Sequence, residues 1–243
     1  MTDQQRVELS DPAGRPVLSY LPGTIEGVPA ARDVVVLGEG AAEVVLRELP
    51  GHVVMAPVEL GTRLVELGAG LRRHGHGLRR DLRADPPPAD WATVRPPDPL
   101  RVVPLAHTAE QLAPAWHAAY SPGHVDHHAD GSLEPMRRLL AGQVLGPVLP
   151  CSAVMVEGEG ESVVACVIVT EGTSDPWITE VFRDPAPAYA GLGGLLLRRV
   201  VAEAHATGLA AIGLAVTEGN PARAVYERLG FVLFESTVSV RVP

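Results

Sequence analysis

The sequence ITEVFRDPAPAYAGLGGLLLRRVVAE, residues 178–203, contains three patterns in a fixed order. Residues 178–182 form a short run rich in β-branched and aromatic side chains, which predicts a strand. An aspartate, two prolines and three glycines follow, and the apolar residues after them recur at helical spacing. The stretch therefore predicts a strand, a tight loop and a helix.

The predicted start of this helix is suited to an anion. The first N–H groups of a helix have no partner within it, and the positive end of the helix dipole lies there. Gly191 and Gly193 lack Cβ, which permits positive φ and lets a ligand's oxygens approach the amides closely. We expect a phosphate, although many helices without a ligand also begin after glycines.

A second motif, TEGNPARAVYERLGF, covers residues 217–231. Together the two segments resemble the GNAT superfamily, the acyl-CoA-dependent N-acyltransferases, over about residues 100–243. The family's pyrophosphate loop, Q/R-x-x-G-x-G/A, falls on residues 188–193. Its second signature, an Asn followed by a helix that ends Y-E-x-L-G-F, falls on Asn220 and on residues 226–231. Ala188 replaces the usual Gln or Arg, which should weaken the loop only modestly because backbone amides provide most of the phosphate binding.

The resemblance implies an α/β (mixed α+β) fold with a mixed, mostly antiparallel central sheet flanked by helices. We assign the GNAT N-acetyltransferase domain to residues 100–243. Residues 86–99 are predicted to be a proline-rich linker, since six prolines fall between positions 84 and 100 and prevent regular structure. Residues 1–85 are predicted to form a smaller N-terminal α/β domain, with a partial, degenerate GNAT-like unit as one option.

Within the N-terminal region, the residues before position 32 contain several prolines and little periodicity, so we expect at most one short strand there. Leucines at helical spacing predict a helix over about residues 59–74. The cluster of basic residues that follows would suit the dipole at the end of this helix. A contact to coenzyme phosphates or to a partner subunit is the alternative for these residues, which are Arg72, Arg73, Arg79, Arg80 and Arg83.

Composition excludes several classes of protein. The formal net charge of −9 argues against a nucleic-acid partner, which requires clustered cations. The sequence has no apolar run long enough for a membrane span and no signal-peptide pattern, so we expect a cytoplasmic protein without a membrane partner. All twenty basic residues are arginine, which excludes lysine Schiff-base chemistry and the Walker phosphate loop. Cys151 and Cys166 are too few for a disulfide framework, and we expect both to be buried.

The family resemblance also implies the contacts of acetyl-CoA, the expected cosubstrate. Its pantetheine arm would pair with the backbone of the strand before the loop, at Val181, Phe182 and Arg183. Its pyrophosphate would lie on the loop and the helix start, at Tyr189, Ala190, Gly191, Leu192, Gly193 and Gly194. Asn220 would contact the coenzyme as well, although Asn before Pro221 also starts helices of every kind.

Two residues are candidates for the acid and base chemistry. The resemblance implies that Tyr226 is the general acid that protonates the departing thiolate, and a phenol with a pKa near 10 suits that leaving group. The alternative is a core tyrosine. Glu180 is a candidate for the base that accepts the amine's proton, and its alternative is an exposed strand residue.

The loop between the first two helices of the GNAT domain carries imidazole and carboxylate side chains, at His124, Asp126, His127 and His128. These are metal-ligand types, but adjacent histidines on a loop rarely face one centre, so we predict no metal and favour contact with the acceptor. The acceptor would be a small-molecule primary amine or a protein N-terminus, and a homodimer is left open. The alternatives for the whole chain are a non-catalytic acyl-CoA-binding or sensor protein on the same fold and a Rossmann-type module.

Overall fold

A computed structural model describes residues 5–25, 27–127 and 131–243. The chain divides into two compact units. The first comprises the described residues up to His76 together with Phe234–Pro243, and the second comprises the described residues from Gly77 to Leu233. None of the helices among the described residues is both long and apolar enough to cross a membrane.

The first unit is built from an antiparallel strand meander followed by alternating helices and strands. Its elements are β1 (Val7–Ser10), β2 (Pro16–Ile25), β3 (Val28–Val36), α1 (Ala41–Glu48), β4 (Val53–Pro57), α2 (Val58–Glu66) and the first part of β5 (Gly70–Asp81). The later residues of β11 (Val232–Arg241) complete it, in the strand order β1-β2-β3-β4-β11-β5. β3 and β4 pair in parallel and flank α1. The order from β3 to α2 is therefore strand, glycine loop, helix, parallel strand and helix. Whether this unit is a partial GNAT-like unit stays a prediction.

Two expectations for the first unit were wrong. The residues before position 32 contribute three strands, because β2 and β3 form a long hairpin. The helix predicted over residues 59–74 ends at Glu66, where Gly68 takes a φ of 104° and the Ala69 N–H donates to the Leu64 carbonyl oxygen. A left-handed glycine just after the last turn is a common helix stop. The chain then continues as β5, so the arginines of the basic cluster lie on or just after a strand.

The second unit has the predicted mixed sheet with helices on both faces. Its elements are β6 (Leu100–Pro104), α3 (Ala109–Ala119), α4 (Glu134–Leu140), β7 (Ala153–Glu157), β8 (Ser162–Thr170), β9 (Trp177–Arg183), α5 (Leu192–Ala206), β10 (Ala211–Thr217) and α6 (Ala222–Arg228). The strand order is β5-β10-β9-β8-β7-β6, with β6 to β9 antiparallel and β9 and β10 parallel. One strand, β11, follows α6 in the chain.

Alternating residues of β7 and β8 explain why helices cover both faces of this sheet. Met155 and Val167 belong to the apolar cluster that includes residues of α5 and α6. Val154 and Cys166, one position away, belong to the cluster that includes residues of α3 and α4. Successive side chains of a strand point to opposite faces, so both faces must be covered.

A capping box between Thr108 and Gln111 starts α3.

The proline-rich stretch, residues 86–99, was predicted to link two domains. It lies within the second unit, which begins at Gly77. Residues 89–92 form a short 3₁₀ turn, and the Trp91 ring packs against the apolar core. The Arg80 guanidinium lies 4.9 Å from the centre of that ring, and Arg199 donates to the Ala92 carbonyl oxygen. These contacts hold the prolines against the unit, which composition alone does not reveal.

Two arginines of the basic cluster have structural partners in this unit. Arg80 is 3% exposed and donates to the carbonyl oxygens of Leu229 and Asp85. Arg79 pairs with Asp175 at 2.7 Å. Both guanidinium groups therefore already bind groups of the protein. This disfavours the alternative that Arg79 and Arg80 contact the phosphates of a coenzyme.

Candidate functional site

A fork between β9 and β10 forms the centre of the candidate site. The two parallel strands pair only at Trp177 with Gly213 and at Ile178 with Leu214. β9 also carries a bulge, because Ile178 and Glu180 face successive residues of β8 and leave Thr179 as an extra residue. Beyond the bulge the two strands continue without pairing to each other. The backbone of β9 is therefore open to a ligand on the β10 side.

The closed end of the fork depends on a glycine. A Cβ built on Gly213 would lie 2.3 Å from the nearest carbon of the Trp177 ring, which is far inside van der Waals contact. Trp177 therefore packs directly on the backbone of β10. This packing lies within the paired part of the fork, before the bulge.

The loop and the helix start that follow β9 offer four amides to an anion. The N–H groups of Gly191, Leu192, Gly193 and Gly194 find no acceptor within the described part of the chain. Gly191 has a φ of 82°, a conformation that side chains with Cβ rarely adopt. The amides of Tyr189 and Ala190, by contrast, already donate to Ala186 and Pro187 at 3.0 and 3.1 Å. The predicted anion contacts through these two amides are therefore disfavoured.

Side chains hold the loop in place. Tyr189 donates from its hydroxyl to Glu157 Oε2 at 2.8 Å, and the Ala186 N–H donates to Asp184 Oδ1 at 2.8 Å. Arg183 donates to the carbonyl oxygens of Asp184 and Ala186. Tyr189 and Arg183 thus position the loop through their side chains, in addition to any contact with a ligand.

Glu180 projects from β9 into a hydrogen-bonded cluster. Its carboxylate accepts from the Tyr120 hydroxyl at 2.6 Å and from Trp116 Nε1 at 3.2 Å. Glu180 is half-buried, so the alternative of an exposed strand residue is wrong. Burial raises the pKa of this carboxyl, while the hydrogen bonds from Tyr120 and Trp116 lower it. A carboxylate whose pKa is shifted toward neutral pH is a better proton acceptor.

Tyr226 lies on α6 and is 8% exposed. Its ring meets the Phe231 ring edge-on at 6.2 Å, so the residue packs in the core as the alternative expectation had it. Burial raises the pKa of its phenol strongly, and the negative charges of Glu180 and Asp126 raise it further. The phenol therefore keeps its proton at neutral pH, as a general acid must. The structure thus shows core packing at this position, and the acid role stays a prediction.

The model of the acetyltransferase (GNAT) family matches residues 113–231, which include the fork, the glycine loop and both candidate catalytic residues. These residues are a GNAT domain. The predicted family is thus confirmed for this part of the chain. Among curated proteins, none matches the sequence.

Solved structures share the fold of this chain at low sequence identity. A GCN5-related N-acetyltransferase from Sphaerobacter thermophilus is 16% identical with a TM-score of 0.66, over 98% of this chain and 80% of that one. A tandem GNAT protein from the clavulanic acid biosynthesis pathway is 15% identical with a TM-score of 0.57, over 96% and 80%. A GCN5-related N-acetyltransferase from Kribbella flavida is 17% identical with a TM-score of 0.54, over 99% and 90%. Identities this low establish likeness of fold and no more.

Asn220 of the GNAT domain helps to start α6. Its Oδ1 accepts from the Ala222 N–H at 2.9 Å, and its Nδ2 donates to Asp126 Oδ2 at 3.0 Å. Asp126 also accepts from the Thr217 hydroxyl at the end of β10. The helix-start role is therefore present in the structure, and the coenzyme contact stays a prediction.

The histidine-rich loop of the GNAT domain does not gather its ligand atoms at one point. His124 Nδ1 accepts from the Asp126 N–H at 3.0 Å, and its ring meets the Tyr120 ring edge-on at 5.1 Å. His127 Nδ1 lies 2.6 Å from the Tyr120 carbonyl oxygen. The three loop side chains that are described thus have separate partners, while His128 lies outside the described residues. His124 and His127 both contact Tyr120 instead.

Tyr120 and Trp116 are the members of the site that the sequence did not point to. Trp116 lies in the last turn of α3 and Tyr120 directly after it, and neither residue lies in a motif. Trp116 is 64 residues from Glu180 along the chain, so no local pattern connects the two. The sequence signal that could have indicated them is their spacing: Trp116 and Tyr120, two aromatic residues with hydrogen-bonding groups, are four residues apart and so lie on the same face of a helix.

Proposed function

We propose that the protein is an N-acetyltransferase that moves an acetyl group from acetyl-CoA to a primary amine by direct attack. The observation that carries this proposal is the open fork of β9 and β10 beside four amides, at the start of α5, that find no acceptor among the described residues. A strand edge that accepts an extended arm, next to an anion site, matches a pantetheine chain that ends in a pyrophosphate.

The proposed coenzyme contacts follow from this arrangement. The amides of residues 191–194 bind the pyrophosphate, and the backbone of Val181, Phe182 and Arg183 pairs with the pantetheine arm. Gly193 supports this fit, because a Cβ built on it would meet only Arg183 Cβ, at 3.7 Å. Gly193 therefore lies beside Arg183 of β9, and a Cβ there would make an ordinary van der Waals contact without a clash.

In the proposed chemistry Glu180 is the base and Tyr226 is the acid. Glu180 accepts the proton that the amine loses as it attacks the thioester, and Tyr226 donates its phenolic proton to the departing thiolate. A backbone N–H of β9 stabilises the oxyanion that forms on the carbonyl. The transfer needs no covalent intermediate on the protein.

The acceptor is proposed to be a cationic amine, either a small molecule or a protein N-terminus. Glu180 and Asp126 both lower the local potential, as their joint effect on Tyr226 indicates. The net charge of −9 also favours a cationic partner over nucleic acid. We place the enzyme in the cytoplasm, which agrees with two free, buried cysteines, and leave a homodimer open.

Replacing Gly193 by Val tests the proposed coenzyme site. Its φ lies outside the left-handed range, and its added Cβ would clash with no protein atom, so the variant should fold. The branched side chain would occupy the space of the pyrophosphate and hinder its hydrogen bonds to the amides. Hydrogen bonds to charged groups contribute about 1.5–3 kcal/mol, so we expect about a 10- to 150-fold loss of coenzyme A affinity in calorimetry.

Gly75→Val is the matched control, because Gly75 also has room for a Cβ and lies in the first unit. It should bind coenzyme A as the wild type does. Affinity within about twofold of wild type for Gly193→Val, a difference below about 0.5 kcal/mol, would rule out the loop as the pyrophosphate site. Stabilisation of the wild type by NAD instead of coenzyme A in a thermal-shift assay would favour the Rossmann-type alternative.

A further inference from the structure

We infer that Tyr120 is a positioning residue of the transfer: its hydroxyl holds the Glu180 carboxylate ready to accept a proton and then satisfies the protonated acid. The inference rests on the proposed function in one respect, the role of Glu180 as the base. It adds a residue and a hydrogen-bond rearrangement that neither the motifs nor the family match identifies.

The Tyr120 hydroxyl has two acceptors within reach and one proton to give. Its oxygen lies 2.6 Å from Glu180 Oε1 and 2.9 Å from the Val181 carbonyl oxygen. Trp116 Nε1 donates to the other carboxylate oxygen at 3.2 Å. A hydroxyl has one O–H donor and two acceptor lone pairs, so Tyr120 can donate to either oxygen and accept a hydrogen bond in addition.

The two protonation states of Glu180 each satisfy this cluster. While the carboxylate is ionised, the Tyr120 O–H donates to it. After Glu180 Oε1 takes the amine's proton, the new acid O–H donates to the Tyr120 oxygen, and the Tyr120 O–H turns to the Val181 carbonyl. One N–H bond of the substrate breaks and one O–H bond forms on Glu180, while Tyr120 keeps its own proton. No buried polar atom of the pair is left without a partner.

Packing limits where the Tyr120 hydroxyl can go. Its ring meets the Trp116 ring edge-on at 6.5 Å on one side and the His124 ring at 5.1 Å on another. Burial and the nearby Glu180 charge raise the pKa of the Tyr120 phenol well above its usual range, so it remains a donor. Among the described residues, the titratable groups that face the pair from neighbouring elements are Asp126, His124 and His127 of the α3–α4 loop, Cys166 of β8 and Tyr226 of α6.

Replacing Tyr120 by Phe tests the inference through the pH dependence of the reaction. The hydroxyl stabilises the ionised carboxylate, so its loss should raise the pKa of Glu180. The acid limb of kcat/KM against pH should then move up by about one to two pH units. Activity lost at neutral pH should return at higher pH, and coenzyme A affinity should stay within about twofold. Tyr20→Phe, a buried tyrosine of the first unit, should leave the acid limb in place.

A second measurement does not require turnover. Titration of the Glu180 side-chain carboxyl carbon by NMR should show the same upward shift in Tyr120→Phe and none in Tyr20→Phe. An unchanged carboxyl titration, or an unchanged acid limb in an active variant, would overturn the inference. Absence of acyl transfer in the wild type with every amine would contradict the proposed function, while the carboxyl titration would still decide whether Tyr120 controls Glu180.

Discussion

Replacing Tyr226 by Phe is expected to lower kcat about 10²- to 10⁴-fold while coenzyme A affinity stays nearly unchanged. The change removes the phenolic proton that we assign to the departing thiolate and keeps the ring that packs edge-on against Phe231. No acceptor among the described residues receives a hydrogen bond from the Tyr226 hydroxyl, so the free energy of unfolding should change little. Steady-state kinetics with acetyl-CoA and a good amine acceptor, together with calorimetry, measure both quantities.

The matched control for this variant is again Tyr20→Phe, because burial raises the pKa of both phenols and Tyr20 lies in the first unit. It should keep wild-type kcat. A Tyr226→Phe enzyme with full turnover would return Tyr226 to a purely structural role. Another group, or water, would then have to protonate the thiolate.

Replacing Glu180 by Gln is expected to lower kcat/KM by a similar factor, about 10²- to 10⁴-fold. The amide has almost the shape of the acid, and its oxygen can still accept a hydrogen bond from Trp116 or Tyr120. It cannot take the proton of the attacking amine at neutral pH. The acid limb of the pH profile, which we assign to Glu180, should disappear from whatever activity remains.

Glu66→Gln is a suitable control, since Glu66 is an exposed residue of α2 paired with Arg63. Its kinetics should match those of the wild type. A Glu180→Gln variant with wild-type kcat/KM and an unchanged acid limb would remove Glu180 from the chemistry. The base would then have to be another group in the fork or water alone.

Local signals were sufficient to predict the elements around the proposed coenzyme site. The predicted strand and helix match β9 and α5 closely. The signals that predicted them lie close together in the sequence: the prolines, then Gly191 at positive φ, then the apolar residues at helical spacing. Asn220 and Tyr226 were predicted because both lie in one short motif, Asn220 just before α6 and Tyr226 on it. The same local reasoning extended α2 too far, because leucine spacing continued past Gly68 and Gly70, where the chain leaves the helix.

The acid–base half of the site could be predicted only in part. Glu180 was found as a polar residue on the strand before the loop, but its burial depends on α3, which is about sixty residues earlier in the chain. Contacts of that sequence separation leave no periodicity to detect. The sequence also did not show that the amides of Tyr189 and Ala190 are unsuited to the proposed anion. A 3₁₀ turn at Pro187–Tyr189 uses both amides in hydrogen bonds, so the proposed contacts are limited to residues 191–194.

The most direct test of the account is transfer of an isotopically labelled acetyl group from acetyl-CoA to a panel of primary amines, with product mass and free coenzyme thiol measured together. We predict that at least one cationic amine becomes acetylated at its nitrogen, with one thiol released per product. Labelled acetyl should not remain on the protein, since the amine attacks directly. Binding of acetyl-CoA without transfer to any amine would contradict the account and favour the non-catalytic acyl-CoA sensor.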